Sequence, residues 1–288
     1  MDIFINLTVS GLASGMMYFL LASGLSLVFG LMGVLNFAHG TIFMYGGYAG
    51  VWAFARTGSF LMAMCCAIVV GGFFGWLMER TVIRRFYGDH TAQILLTTGL
   101  QLILTELLMI PFGALIIAAP QPPALQGSWV LGEIVLVKYR IFLIVIGAVI
   151  AVGLNLAIAR TKIGMIIRAG VQNPEMVQAL GINIKKVFNY VFVLGAALAA
   201  LGGSLMGPAF GGVNPEIGNM FQMTSFIVVV IGGLGSMAGT ALSALLVGLV
   251  SSYTAYVFPE ASMAVSVLLM LLVLIIRPTG LFGMGGGH

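Results

Sequence analysis

The sequence predicts an all-α, polytopic membrane protein with about eight or nine transmembrane or re-entrant helices. Three observations predict it. Hydrophobic residues make up 60% of the chain and charged residues 7%, where a soluble domain carries about a quarter charged. Apolar stretches of roughly 20 residues, enough to cross a hydrocarbon core, recur along the chain. Most of the few charges lie between those stretches or at their ends and are basic, giving a net charge of +4. Basic residues at span ends follow the positive-inside pattern, so this charge carries no argument for a nucleic-acid partner. Forty glycines suit close helix packing in lipid. GxxxG recurs at Gly11/Gly15, Gly46/Gly50, Gly71/Gly75, Gly203/Gly207 and Gly235/Gly239.

The spans follow in order. The first covers 5–30; it lacks a basic leader and a small-residue cleavage site, so it reads as a retained span. The next cover 41–56, 59–78 and 92–112, then 139–158 and 188–209. Residues 221–257 are apolar but broken by Gly232-Gly233-Leu234-Gly235-Ser236, which is either a kink or a boundary between two elements. The last span covers 262–276. No soluble domain is left over, so 1–288 reads as one transmembrane domain. Cys65 and Cys66 sit inside an apolar run and read as inert buried thiols.

Basic residues cluster at 79–90, at 160–187 and at Arg277, whereas 113–137 holds only Glu133. This predicts a cytoplasmic C-terminus and an outside N-terminus, hence an odd number of crossings. That parity favours two elements in 221–257. Lys138 and Arg140 flank a span on the outer side and dissent from the rule.

The most informative segment is the polar island at about 160–187. Its basic residues, Arg168 among them, stand against the single acid Glu175. Asn173 is a good N-cap, Pro174 fits the first helical position, Glu175 suits the first turn and Gly181 can close the end. Met176, Ala179 and Leu180 share one face. Such a helix presents a contact face for a partner; the alternative is a solvated loop whose helix packs on the membrane surface.

Polar residues inside spans are costly and mark further candidates. Asn36 and His39, in Asn36-Phe37-Ala38-His39-Gly40, read either as non-helical backbone buried at membrane depth or as an interfacial turn. Thr97, Thr98, Gln101, Thr105 and Glu106 form a second group, with Thr98, Gln101 and Thr105 on one stripe, for solute contact or for an interhelix hydrogen bond. Gly233 and Ser236 mark a broken helix whose free ends could hold a zwitterion, or a tight packing point. No phosphate-binding loop, HExxH, GxSxG or CxxC occurs, and His39 has no second ligand at metal spacing. No catalytic residue, metal site or cofactor is therefore expected.

Four segments together resemble the permease subunits of branched-chain amino acid ABC importers, specifically the LivH-like subunit. They are Leu25 to Gly40 with its NFAHG sequence, the island with Gln172-Asn173-Pro174-Glu175 and Ala179-Leu180-Gly181-Ile182, the stretch Ile231 to Ser236, and the tail Arg277-Pro278-Thr279-Gly280-Leu281-Phe282-Gly283. The resemblance covers nearly the full chain. It implies an inner-membrane permease that pairs with a second homologous permease and two ATP-binding subunits and receives its small solute from a periplasmic substrate-binding protein. It also implies that Asn173 to Gly181 sits in a groove of an ATPase. Relatives of this type also handle urea, short amides and aromatic acids. A different class, an ion-coupled secondary transporter, needs ionisable residues at mid-membrane, and only Glu106 and His39 approach that.

Overall fold

Backbone polar groups in a bilayer must be satisfied internally, and the apolar segments do so as helices. The computed structural model describes residues 2–132 and 134–283. Its helices are α1 (Asp2–Met32), α2 (His39–Thr57), α3 (Phe60–Thr81), α4 (His90–Phe112), α5 (Lys138–Arg160), α6 (Lys162–Gln172), α7 (Pro174–Ala179), α8 (Ile184–Phe210), α9 (Ile217–Gly232), α10 (Met237–Val257) and α11 (Ser262–Ile276). Among the described residues, six of these (α1, α3, α4, α5, α8 and α10) are long and apolar enough to cross a membrane; α9 and α11 are shorter apolar helices. With the 19-residue α2, nine helices form the membrane bundle. Arg56 lies 5.4 Å from the Trp52 ring and Arg80 5.4 Å from the Trp76 ring, placing an aromatic–basic pair near each end of the bundle.

The run 221–257 resolves into two elements, α9 and α10, separated by residues 233–236. Residues 113–137 add what helical periodicity did not reveal. There β2 (Ser128–Leu131) and β3 (Ile134–Val137) form an antiparallel ribbon, and β1 (Ile117–Ala118) pairs with β4 (Gly212–Val213).

Helices α1 and α8 are the most buried long helices, and α2 is wedged against α8, α3 and α9. Glycine permits this. Every GxxxG pair lies at a seam: Gly11 and Gly15 meet the backbone of α10, Gly71 and Gly75 meet α8 at Ala196 and Ala200, and Gly235 meets Gly30. At Gly203 a β-carbon would stand 1.7 Å from the Phe43 carbonyl oxygen, and at Gly46 it would stand 2.1 Å from that of Ala200. Small residues here let backbones touch, which in lipid substitutes for hydrophobic drive.

Between α1 and α2 the chain is non-helical over residues 33–38. His39 then contacts the Leu21 carbonyl oxygen through Nε2 at 3.1 Å. Leu21 lies three turns before the end of α1, about 16 Å along the axis. The chain therefore climbs back into the bundle before α2 begins, and α2 starts at membrane depth. Of the two readings of this segment, the buried one is correct: Asn36 and His39 are each 1% exposed.

Candidate functional site

The island is more structured than a loop with one short helix. Thr161 caps α6 by accepting from the Gly164 amide at 3.0 Å. Arg168 on α6 donates to the Ile158 carbonyl, a cation against the C-terminal carbonyls of α5. Asn173 then caps α7 as its sequence predicts, accepting from the Met176 amide at 2.9 Å. Pro174 stands at the first position and Glu175 in the first turn. Gly181 closes the turn at φ +81°, and the Ile182 amide reaches the Val177 carbonyl at 3.3 Å. Val177 is buried at 2% and anchors α7 to the bundle. Met176 and Leu180 are 60% and 74% exposed, and Ala179 is exposed beside them. The capped helix thus holds an unpartnered apolar face outward.

A feature that sequence reasoning missed secures the island's exit. Glu79, fully buried at the end of α3, accepts from Arg84 at 3.1 Å, from Tyr87 and from Asn189 in the first turns of α8. Burial, and then the Glu79 carboxylate it bonds, push the Tyr87 hydroxyl well above its ordinary range, so it remains a donor. The Tyr87 ring also stands edge-on to Phe188 at 5.2 Å. These contacts rivet α3, the 82–89 turn and α8 together just beyond α7.

The second constellation gathers around the 33–38 segment. Asn36 Oδ1 accepts from the Ala38 amide at 3.0 Å, and its carbonyl accepts from Gln222 Nε2 of α9 at 3.3 Å. Thr97 on α4, buried, donates to the Gln93 carbonyl at 2.8 Å and lies 3.4 Å from that of Leu35. Gln101 donates to Asn219 Oδ1 of α9 at 2.7 Å. Asn36 Nδ2, Thr41 Oγ1 and Gln222 Oε1 are buried without a protein partner among the described residues. Thr98 is not part of this group: it is exposed and its hydroxyl bonds the Ile94 carbonyl of its own helix. The inward residue is its neighbour Thr97. Asn219 and Gln222 escaped the sequence reading because nothing local joins them to residues more than a hundred positions away.

The Gln101–Asn219 bond tethers α4, a helix with little burial, to α9. Gln101→Leu removes it, at a cost of about 1 kcal/mol. We expect normal membrane levels of the variant and transport reduced several-fold, measured as solute uptake per unit of inserted protein. Wild-type uptake would reduce Gln101 to an interchangeable strut.

Gly233 and Ser236 lie elsewhere, about three turns along α9 from Gln222. Ser236 caps α10 by accepting from the Gly239 amide at 3.1 Å. Gly233, at φ +95°, adjoins the tail: a β-carbon there would stand 2.3 Å from the Gly283 amide nitrogen. The Leu281 amide donates to the Ile231 carbonyl at 2.8 Å, and the Phe282 amide to that of Gly232 at 3.1 Å. The tail thereby satisfies carbonyls that the end of α9 leaves open. The segment is closely packed against the tail, and Ser236 also lines a cavity beside it.

A bundle of apolar helices, six of them long enough to cross a bilayer, defines a multi-span membrane protein. The chain belongs to the family described as branched-chain amino acid transport system / permease component, whose model matches residues 7–274. It is 33% identical to the high-affinity branched-chain amino acid transport system permease protein BraD of Pseudomonas aeruginosa, over 96% of this chain and 94% of that one. It is 32% identical to the corresponding protein LivH of Escherichia coli, over 97% and 96%. The permease protein LivM of Escherichia coli is 29% identical over 93% of this chain and 68% of its own length.

Proposed function

We propose that this chain is a permease subunit of an ATP-driven importer that moves branched-chain amino acids across the bacterial inner membrane. The observation that carries the reading is the exposed face of Met176, Ala179 and Leu180 on a helix anchored by buried Val177. A permease driven by separate ATPases needs a stiff contact through which their closure is felt, and α7 supplies one. Arg168 stiffens its approach and the Glu79 contacts its exit. Relatives named LivH and LivM both match, which supports pairing with a second, homologous permease. Two ATP-binding subunits and a periplasmic binding protein complete the assembly, and the permease itself makes and breaks no covalent bond.

Orientation follows from charge. Nine of the twelve basic residues lie at the end of the bundle that carries the island. This supports a cytoplasmic island and C-terminus and an outside N-terminus. The experiment is uptake of radiolabelled leucine by cells that lack their own route and carry the whole transporter. Uptake should require ATP and persist when the proton gradient is collapsed. Loss of uptake on collapsing that gradient alone would overturn the reading in favour of a secondary transporter. In the same cells Gln172→Cys should label only from the cytoplasm and Leu125→Cys only from outside.

A further inference from the structure

Lys138 and Arg140 occupy the first turn of α5. Both rules for placing cations oppose them there: a helix N-terminus disfavours positive charge, and so does the outer side of an inner-membrane protein. Arg140 is exposed and makes no ion pair or hydrogen bond with any described residue. Its surroundings give it a use. It lines a cavity of about 350 Å³ with Gln121, Tyr139, Ser10, Ser14 and Phe210.

That cavity shares lining residues with a second, and the second with a third. Ser10, Ser14 and Phe210 also line a larger chamber of about 820 Å³ where α1, α9, α10 and α11 meet. Phe210, the last residue of α8, is 59% exposed and stands between the two. The chamber is walled by Met220, Met223 and Met270, soft side chains that adapt to differing aliphatic shapes. Hydroxyls punctuate it, Ser251 and Ser266 facing each other at 3.1 Å. At its far end Val230 is shared with a third cavity of about 470 Å³, lined by Ser236, Thr279 and Phe282. Cavities that share lining residues thus extend from the start of α5 to the docked tail along one flank of the bundle.

We propose that the solute crosses along this flank. Arg140 receives its carboxylate in the outer vestibule, and the methionine-lined chamber carries its aliphatic side chain past Phe210. A guanidinium matches a carboxylate with two parallel hydrogen bonds. The chamber's apolar walls favour branched aliphatic side chains over polar ones, and its hydroxyls accept from the ammonium group. The buried group around Asn36 and Gln222 then frames the route from α9's other face, without lining it. This deepens the function proposed above and rests on it.

The test uses cells carrying the whole transporter, with Cys65→Ala and Cys66→Ala removing the native thiols. Ser14→Cys should react from outside with a charged, water-soluble thiosulfonate, and saturating leucine should slow that reaction at least fivefold. Arg140→Gln should lower leucine uptake at limiting concentration about tenfold, with Arg140→Lys retaining a third or more. Reaction of Ser14→Cys with lipid-soluble maleimide only, or wild-type uptake by Arg140→Gln, would overturn the proposal and leave the flank as a lipid-filled groove. Those results alongside normal uptake by the parent transporter count against this route alone. No leucine uptake by the parent would overturn the transport function as well.

Discussion

Ala179→Asp should insert and fold normally yet fail to retain its ATPase and fail to transport. Ala179 is exposed on α7, so the isolated chain barely feels the change. Within a partner's groove the carboxylate would be buried unpaired, costing about 3 kcal/mol, roughly a hundredfold in affinity. Co-purification of the ATPase with the tagged permease measures it, together with leucine uptake. Val177→Asp supplies the contrast. Val177 is 2% exposed and faces the bundle, so that variant should fail in folding, before any partner is involved. Wild-type uptake and unchanged ATPase recovery in Ala179→Asp would remove α7 as the coupling element.

The second large effect lies in the glycine seams. Gly203→Val should abolish accumulation of folded protein, and even Gly203→Ala should cost about 3 kcal/mol or more. The new β-carbon would stand 1.7 Å from a backbone oxygen, and backbone cannot swing aside as a side chain can. Gly153→Ala, on α5, is the control: nothing lies within 4 Å of the added carbon. There the gain in helix propensity, up to about 1 kcal/mol, leaves stability unchanged or raised. Thermal unfolding in detergent, followed by loss of monodisperse protein, separates the two. Equal stability of Gly203→Ala and Gly153→Ala would mean that the α2–α8 contact is looser than described.

Much of this was legible in the sequence for identifiable reasons. Apolar length locates spans because lipid tolerates little else, and the caps of α7 are local chemistry between near neighbours. Glycine spacing announced the seams, although which helices would meet there was not readable. The α6 helix was not legible even though Thr161 caps it, because Gly164 and Gly170 weaken the helical signal of so short a segment. Asn36 could be suspected, since polar residues in apolar runs are expensive. Its partner Gln222 could not, being 186 residues distant. The same holds for the pairing of Gln101 with Asn219 and of Glu79 with Asn189. Thr98 was favoured over Thr97 because a stripe read from sequence has no absolute rotation.

The docking of Leu281 and Phe282 onto α9 also sets an order of events during synthesis. The carbonyls of Ile231 and Gly232 are made early, but their donors emerge only after α10 and α11 have been translated and inserted. Until then the end of α9 is unsealed, and a chain halted within α11 cannot seal it. A premature stop there would give a product marked for proteolysis by the very helix end it leaves open.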